Sequence, residues 1–134
     1  MNSSQLEFVS YYSDLFQGFG YCKSVSDFIA CQFALESDFG KSDIAKFNLN
    51  FCGMKHPALR PTFSVCQKRG FALYYGCRDS VYDYLLWLSW HRFTVQMDLD
   101  EFRTRLKAKG YCPESDYITK INYLLKSYQD GQKL

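Results

Sequence analysis

Glu36 is the residue whose type and spacing point most directly to chemistry. In a helix over residues 25–36 it falls three turns after Val25, two after Ile29 and one after Gln32. A carboxylate on the apolar stripe that holds Val25 and Ile29 loses hydration, and a helix C-terminus disfavours negative charge. Both effects strengthen its hold on a proton, the condition a general acid needs near neutral pH.

The other reactive groups are six cysteines (Cys22, Cys31, Cys52, Cys66, Cys77 and Cys112) and two histidines, His56 and His91. No two cysteines stand at CxxC spacing, so neither a zinc site nor any other cofactor is expected. The pattern reads as reduced, mostly buried thiols, and nothing local supports a Cys-His nucleophile pair.

Several elements must position Glu36. Leu6, Val9, Tyr12 or Ser13, and Phe16 recur at helical spacing over residues 4–17, with Gly18 and Gly20 beyond. Ser24 or Ser26 offers a cap for the next helix, which runs to Glu36 or Ser37. Asp38 to Lys41 form a turn with Gly40 available for a left-handed conformation, and Ser42 caps a short helix through Phe47. Pro57, Pro61 and Gly70 break the next stretch, where residues 62–66 and 71–74 read as two strands joined by a turn at 67–70. A helix to about Trp90 follows, burying Val81, Tyr84 or Leu85, and Leu88. Asp79 serves as a cap and Asp83 as a surface charge, while Trp87, Trp90 and Phe93 pack. Asp98 and Glu101 have capping-box spacing before Phe102 and Leu106, and Gly110 stops that helix. A last helix places Tyr117, Ile121, Leu124, Leu125 and Tyr128 on one face and frays from Gln129.

With 134 residues, 47% of them hydrophobic and 19% aromatic, the chain is long and apolar enough for one globular domain with a real core. That domain spans residues 1–134, with its core over 21–128 and a β-lobe over 56–75, and is expected to act as a monomer. A net charge of +2 without a basic run argues against nucleic acid. No stretch is apolar enough to insert in a membrane, and residues 1–20 lack the pattern of a signal peptide.

Ala34-Leu35-Glu36-Ser37 followed by Phe39-Gly40-Lys41-Ser42 resembles the ALES-x-(W/F)-G-K-S motif of the glucosaminidase family of peptidoglycan hydrolases. Asn48-Leu49-Asn50-Phe51-Cys52-Gly53-Met54-Lys55 resembles that family's N-x-F-G-(I/M)-K segment, with Cys52 between the Phe and the Gly. Phe71, Tyr74, Asp79, Ser80, Val81, Asp83 and Tyr84 match a third segment, F-x-x-Y-x-S-x-x-(D/E)-S-(I/V)-x-D-Y, whose first Ser has no counterpart here. Gly110-Tyr111-Cys112 to Tyr117 is similar to G-Y-A-T-D-P-x-Y, with altered order in the middle. The resemblance covers residues 21–125.

The resemblance implies a mainly α, lysozyme-like domain with a small β-hairpin lobe. It further implies an endo-β-N-acetylglucosaminidase that cleaves the β-1,4 bond between N-acetylglucosamine and N-acetylmuramic acid in peptidoglycan glycan strands. Glu36 is then the catalytic acid and Tyr111 the tyrosine beside it. Asn50 and Lys55 contact sugar or hold their loop. Arg60 touches substrate or is a solvated surface arginine, and Tyr75 points a phenol into a cleft or packs in the core.

One departure bears on mechanism: residues 54–78 contain no Asp or Glu, where many members carry a second acid. Two routes remain, a water assisted by a tyrosine or neutral side chain, and attack by the substrate's own 2-acetamido oxygen. A muramidase, a lytic transglycosylase and a non-catalytic wall-binding or virion domain are the competing readings. Action on the bacterial wall without a signal peptide implies a phage lysis or virion-associated protein, or a domain of a larger exported one.

Overall fold

Asn2 starts α1 (Ser3–Gly18) because its side chain accepts the Gln5 N–H at 2.8 Å while the Gln5 side chain accepts the Asn2 N–H at 2.9 Å. The computed structural model describes residues 1–133, and its contacts divide the chain into two compact units. One joins Met1–Leu35 to the chain from Phe93 onward, and the other is Glu36–Arg92. Among the described residues there are six helices and one two-stranded antiparallel sheet, a mainly helical fold with a small β-lobe in keeping with the lysozyme-like expectation.

The first unit contains α1, most of α2 (Lys23–Ser37), α5 (Leu99–Ala108) and α6 (Tyr117–Gln132). Its buried side chains follow helical spacing: Val9, Tyr12, Ser13 and Phe16 on α1, and Tyr117, Ile121, Leu125 and Tyr128 on α6. Aromatic rings fill its centre. Phe16 meets Phe33 edge-on at 5.5 Å, and Phe102 meets Phe28 at 5.9 Å and Phe93 at 5.1 Å. Each such buried ring contributes about 1.5–3 kcal/mol through burial alone. Helix α6 stays regular to Gln132 rather than fraying from Gln129, and its Gly131 lies against the Leu6 side chain of α1. Helix α2 begins ahead of both serines expected to cap it; Ser26 donates instead to the Tyr21 carbonyl.

The second unit contains α3 (Asp43–Phe47), β1 (Cys66–Lys68), β2 (Phe71–Leu73) and α4 (Cys77–Trp90). The strands pair in the register Cys66 with Leu73, Gln67 with Ala72 and Lys68 with Phe71. Arg69 (φ 55°) and Gly70 (φ 79°) make a two-residue turn with both φ values positive, the geometry that matches strand twist in a hairpin. The first strand is shorter than residues 62–66 suggested. The segment ahead of it is drawn off by α4: Asp83 Oδ1 accepts the Thr62 hydroxyl at 2.7 Å and the Phe63 N–H at 3.1 Å. Helix α4 starts at Gly76 without a side-chain cap, so Asp79 is a first-turn acid rather than the cap.

The thiols are all free, but only Cys31 and Cys52 are fully buried, while Cys22 and Cys77 are exposed. Burial pushes both buried thiols up to about 12. An aromatic disulfide reagent at pH 8 is expected to modify Cys22 and Cys77 rapidly, and Cys31 and Cys52 only after denaturant is added.

Candidate active site

The last turn of α2 is where the sequence placed its acid, and the chain reverses immediately after it. Asp38 (φ 48°), Phe39 (φ 54°) and Gly40 (φ 79°) all adopt left-handed backbone, which no helix can continue through. The Ser37 hydroxyl accepts the Gly40 N–H at 2.9 Å, and the Ser37 carbonyl accepts the Ser42 N–H at 3.0 Å. Ser42 then caps α3 by accepting the Ala45 N–H. Glu36 is therefore fixed in the final turn of a helix, half-buried, at the negative end of the helix dipole.

The loop after α3 returns the chain to Glu36. Gly53 has φ 73°, and a Cβ built there would lie 2.6 Å from Glu36 Cδ and nearer still to Oε2. Only a residue without a side chain leaves the carboxylate that space.

Asn50, fully buried, organises the loop around Gly53. Its Oδ1 accepts the Gly53 N–H at 2.9 Å and the Cys52 N–H at 3.2 Å, and its Nδ2 donates to the Met54 and Ala72 carbonyls at 2.9 and 3.0 Å. Of the two roles open to it, the geometry builds the loop-holding one. Asn48, also buried, does the same for the hairpin, donating to the Lys68 carbonyl at 2.8 Å and accepting from Arg69 at 3.0 Å.

Behind this loop lies a polar cluster that the sequence reading missed. Asp83 is 0% exposed rather than a surface charge. Its carboxylate takes both Arg60 amino groups, at 2.8 and 3.1 Å, the Thr62 hydroxyl, the Phe63 N–H and the Tyr74 phenol. Burial pushes the Asp83 carboxyl up, but the bonds from Arg60, Tyr74 and Thr62 outweigh it and hold the group below the usual carboxylate range. Burial, with Cys52 and Asp83 alongside, pushes the Tyr74 phenol far up, so it remains a donor. Cys52 lies at the edge of this cluster and, raised mainly by burial, stays a thiol at physiological pH, with no nucleophilic character.

Arg60 is accordingly neither a solvated surface residue nor open to a ligand: its guanidinium is consumed by Asp83 inside the fold. A buried arginine in an acid-free lobe requires a partner carboxylate from elsewhere, but nothing in the sequence marked Arg60 as buried. Lys55 is exposed on the Gly53 loop, and Tyr75, 84% exposed, stands at the corner between β2 and α4. Tyr111 belongs to the other unit, where its ring stacks on Tyr117 at 6.1 Å and 13°. The Tyr117 hydroxyl accepts from Gln32 Nε2 at 3.0 Å, one helical turn ahead of Glu36 on α2. Glu36, Gly53 and, through Gly53, Asn50 are brought together; Arg60 is drawn away to Asp83.

Among the described residues no group of three or more His, Cys, Asp or Glu side chains could hold a metal, and no helix is long and apolar enough to cross a membrane. Nothing among curated proteins or solved structures matches the chain. A sequence model of the glucosaminidase family, described as mannosyl-glycoprotein endo-beta-N-acetylglucosaminidase, matches residues 22–130. That match spans the acid-bearing helix, the Gly53 loop, the hairpin and the Tyr111 segment, and the chain therefore belongs to the glucosaminidase family, whose membership points to a glycoside hydrolase of the peptidoglycan type.

Proposed function

We propose that the protein is an endo-β-N-acetylglucosaminidase that cleaves the GlcNAc-β-1,4-MurNAc bond of peptidoglycan, with Glu36 as general acid and the substrate acetamide as nucleophile. The observation that carries this reading is the half-buried Glu36 carboxyl in the last turn of α2, packed on a glycine of the following loop.

Glu36 gives its proton to the glycosidic oxygen as the bond from C1 to that oxygen breaks. The carbonyl oxygen of the 2-acetamido group on the same sugar bonds to C1 and closes an oxazolinium ring. Water then attacks C1, the Glu36 carboxylate takes its proton, and the ring reopens to the acetamide. Two displacements at C1 leave the anomeric configuration as it began. The acid-free lobe supports this route over one needing a second protein carboxylate, and Asp83 is already committed to Arg60, Thr62 and Tyr74. Lys55 and Tyr75 are the exposed residues assigned to sugar contact, and Asn50 and Arg60 are assigned to the scaffold. Tyr111 takes the tyrosine role the family resemblance gives it, its ring held by Tyr117.

Digestion of purified peptidoglycan, with the released ends read by mass spectrometry, tests this directly. New reducing N-acetylglucosamine ends are the expected product. Reducing or anhydro-muramic ends would move the cleaved bond and make the protein a muramidase or a lytic transglycosylase. Binding without any new ends would sink the enzymatic reading and leave a wall-binding domain.

A further inference from the structure

We infer that Gly53 is a positioning residue whose absent side chain forms the seat of the Glu36 carboxylate, and that Asn50 locks this seat in place. The inference rests on the reading of Glu36 as the acid, and adds to it the element that aims the acid.

Three observations converge. The space a Cβ would occupy at Gly53 is filled by the Glu36 carboxyl group. The Gly53 backbone has a left-handed φ of 73° that side chains rarely adopt. Its N–H is held by Asn50 Oδ1, while the same amide is anchored through Nδ2 to the Met54 and Ala72 carbonyls. Met54 and Ala72 are themselves joined, the Ala72 N–H donating to the Met54 carbonyl at 2.9 Å. The carboxyl group therefore rests on a backbone surface braced to β2, and that surface cannot follow the side chain if it moves. An acid held this way presents its proton from one position, and displacement by about 1 Å is enough to cost on the order of 10²-fold in rate.

Gly70 supplies the internal control. It has nearly the same φ, 79°, and nothing lies within 4 Å of a Cβ built there. Alanine at Gly70 meets the backbone penalty alone, whereas alanine at Gly53 meets that penalty and Glu36.

The test is a stability cycle in urea with Gly53→Ala, Glu36→Ala, the double variant and Gly70→Ala. Gly53→Ala is expected to lower the unfolding midpoint more than Gly70→Ala does. In the Glu36→Ala background the same substitution should cost no more than Gly70→Ala, because the colliding carboxyl is gone. Additive effects of Gly53→Ala and Glu36→Ala would overturn the inference.

Should the variants not fold, the wild type answers: the Gly53 α-proton and α-carbon resonances are expected to titrate with the midpoint of the Glu36 carboxyl carbon, and a silent Gly53 would overturn the inference. Neither readout uses turnover, so inactivity of the wild type on peptidoglycan would refute the enzymatic reading while leaving the seat itself decided. In an active wild type, Gly53→Ala should lower kcat about 10²-fold with little change in KM.

Discussion

Glu36→Gln is expected to leave a folded protein whose turnover of peptidoglycan falls by about 10²–10⁴-fold, the range contributed by a positioned general acid. The substitution isolates the proton. Glutamine has nearly the shape of the protonated glutamic acid, so it can rest on Gly53 without the collision that a side chain at position 53 would cause. It can still donate a hydrogen bond to the glycosidic oxygen, but it cannot transfer a proton to it or take one from water in the second step. The loss should appear in kcat and kcat/KM together, with substrate binding retained. In the wild type, the alkaline limb of the kcat/KM profile should report deprotonation of Glu36, and that limb should be missing from the residual rate of the variant. Wild-type levels of new reducing ends from Glu36→Gln would remove Glu36 from the mechanism.

The second large effect is on stability. Asp83→Ala is expected to destabilise the protein by about 3–5 kcal/mol, because it leaves the Arg60 guanidinium buried without its counter-charge. The Thr62 hydroxyl, Phe63 N–H and Tyr74 phenol lose their acceptor in the same step. A loss of that size is a large share of the 5–15 kcal/mol typical of a whole domain, so the urea midpoint should fall steeply.

The same group sets an acid limit. Because the folded protein holds the Asp83 carboxyl below its ordinary value, its contribution is fully present above the aspartate range of about 4 and is lost as pH falls below it, through the folded value. Wild type should therefore lose stability on acidification over that window, and Asp83→Asn should show a correspondingly smaller loss. Equal acid sensitivity in the two proteins would assign the acid limit to other carboxylates.

The parts of the fold governed by local rules were legible in the sequence. The Ser42 cap, the stop at Gly110 and the packed faces of α1 and α6 depend on neighbours within one or two helical turns. The motif around Glu36 is local as well, and the family membership could be read from it. What escaped were pairings across longer separations. Asp83 lies next to Tyr84 on the margin of the buried stripe of α4, where periodicity alone cannot tell a surface acid from a buried one. Its partner, Arg60, is 23 residues earlier and in a loop, beyond any helical or strand period. The contact of Gly53 with Glu36 escaped for a similar reason: a glycine in a loop signals a turn, and nothing in its spacing says which side chain will fill the vacant space. Tyr74 and Tyr75 show the limit within a single dipeptide. Both lie just past the end of β2, one phenol buried on Asp83 and the other in solvent, and the sequence does not say which.

The left-handed run after α2 bears on how this protein would respond to selection for heat tolerance. Asp38 and Phe39 each hold a backbone conformation that costs a residue with a side chain about 1–2 kcal/mol, and glycine would relieve it, less the entropy of a freer unfolded chain. Two of the five non-glycine positions held at left-handed φ among the described residues thus lie within three residues of the proposed acid. Accepting glycine there would slacken the reversal that holds Glu36 in its final turn, so a lineage or an engineer gaining tolerance here would be trading away rate.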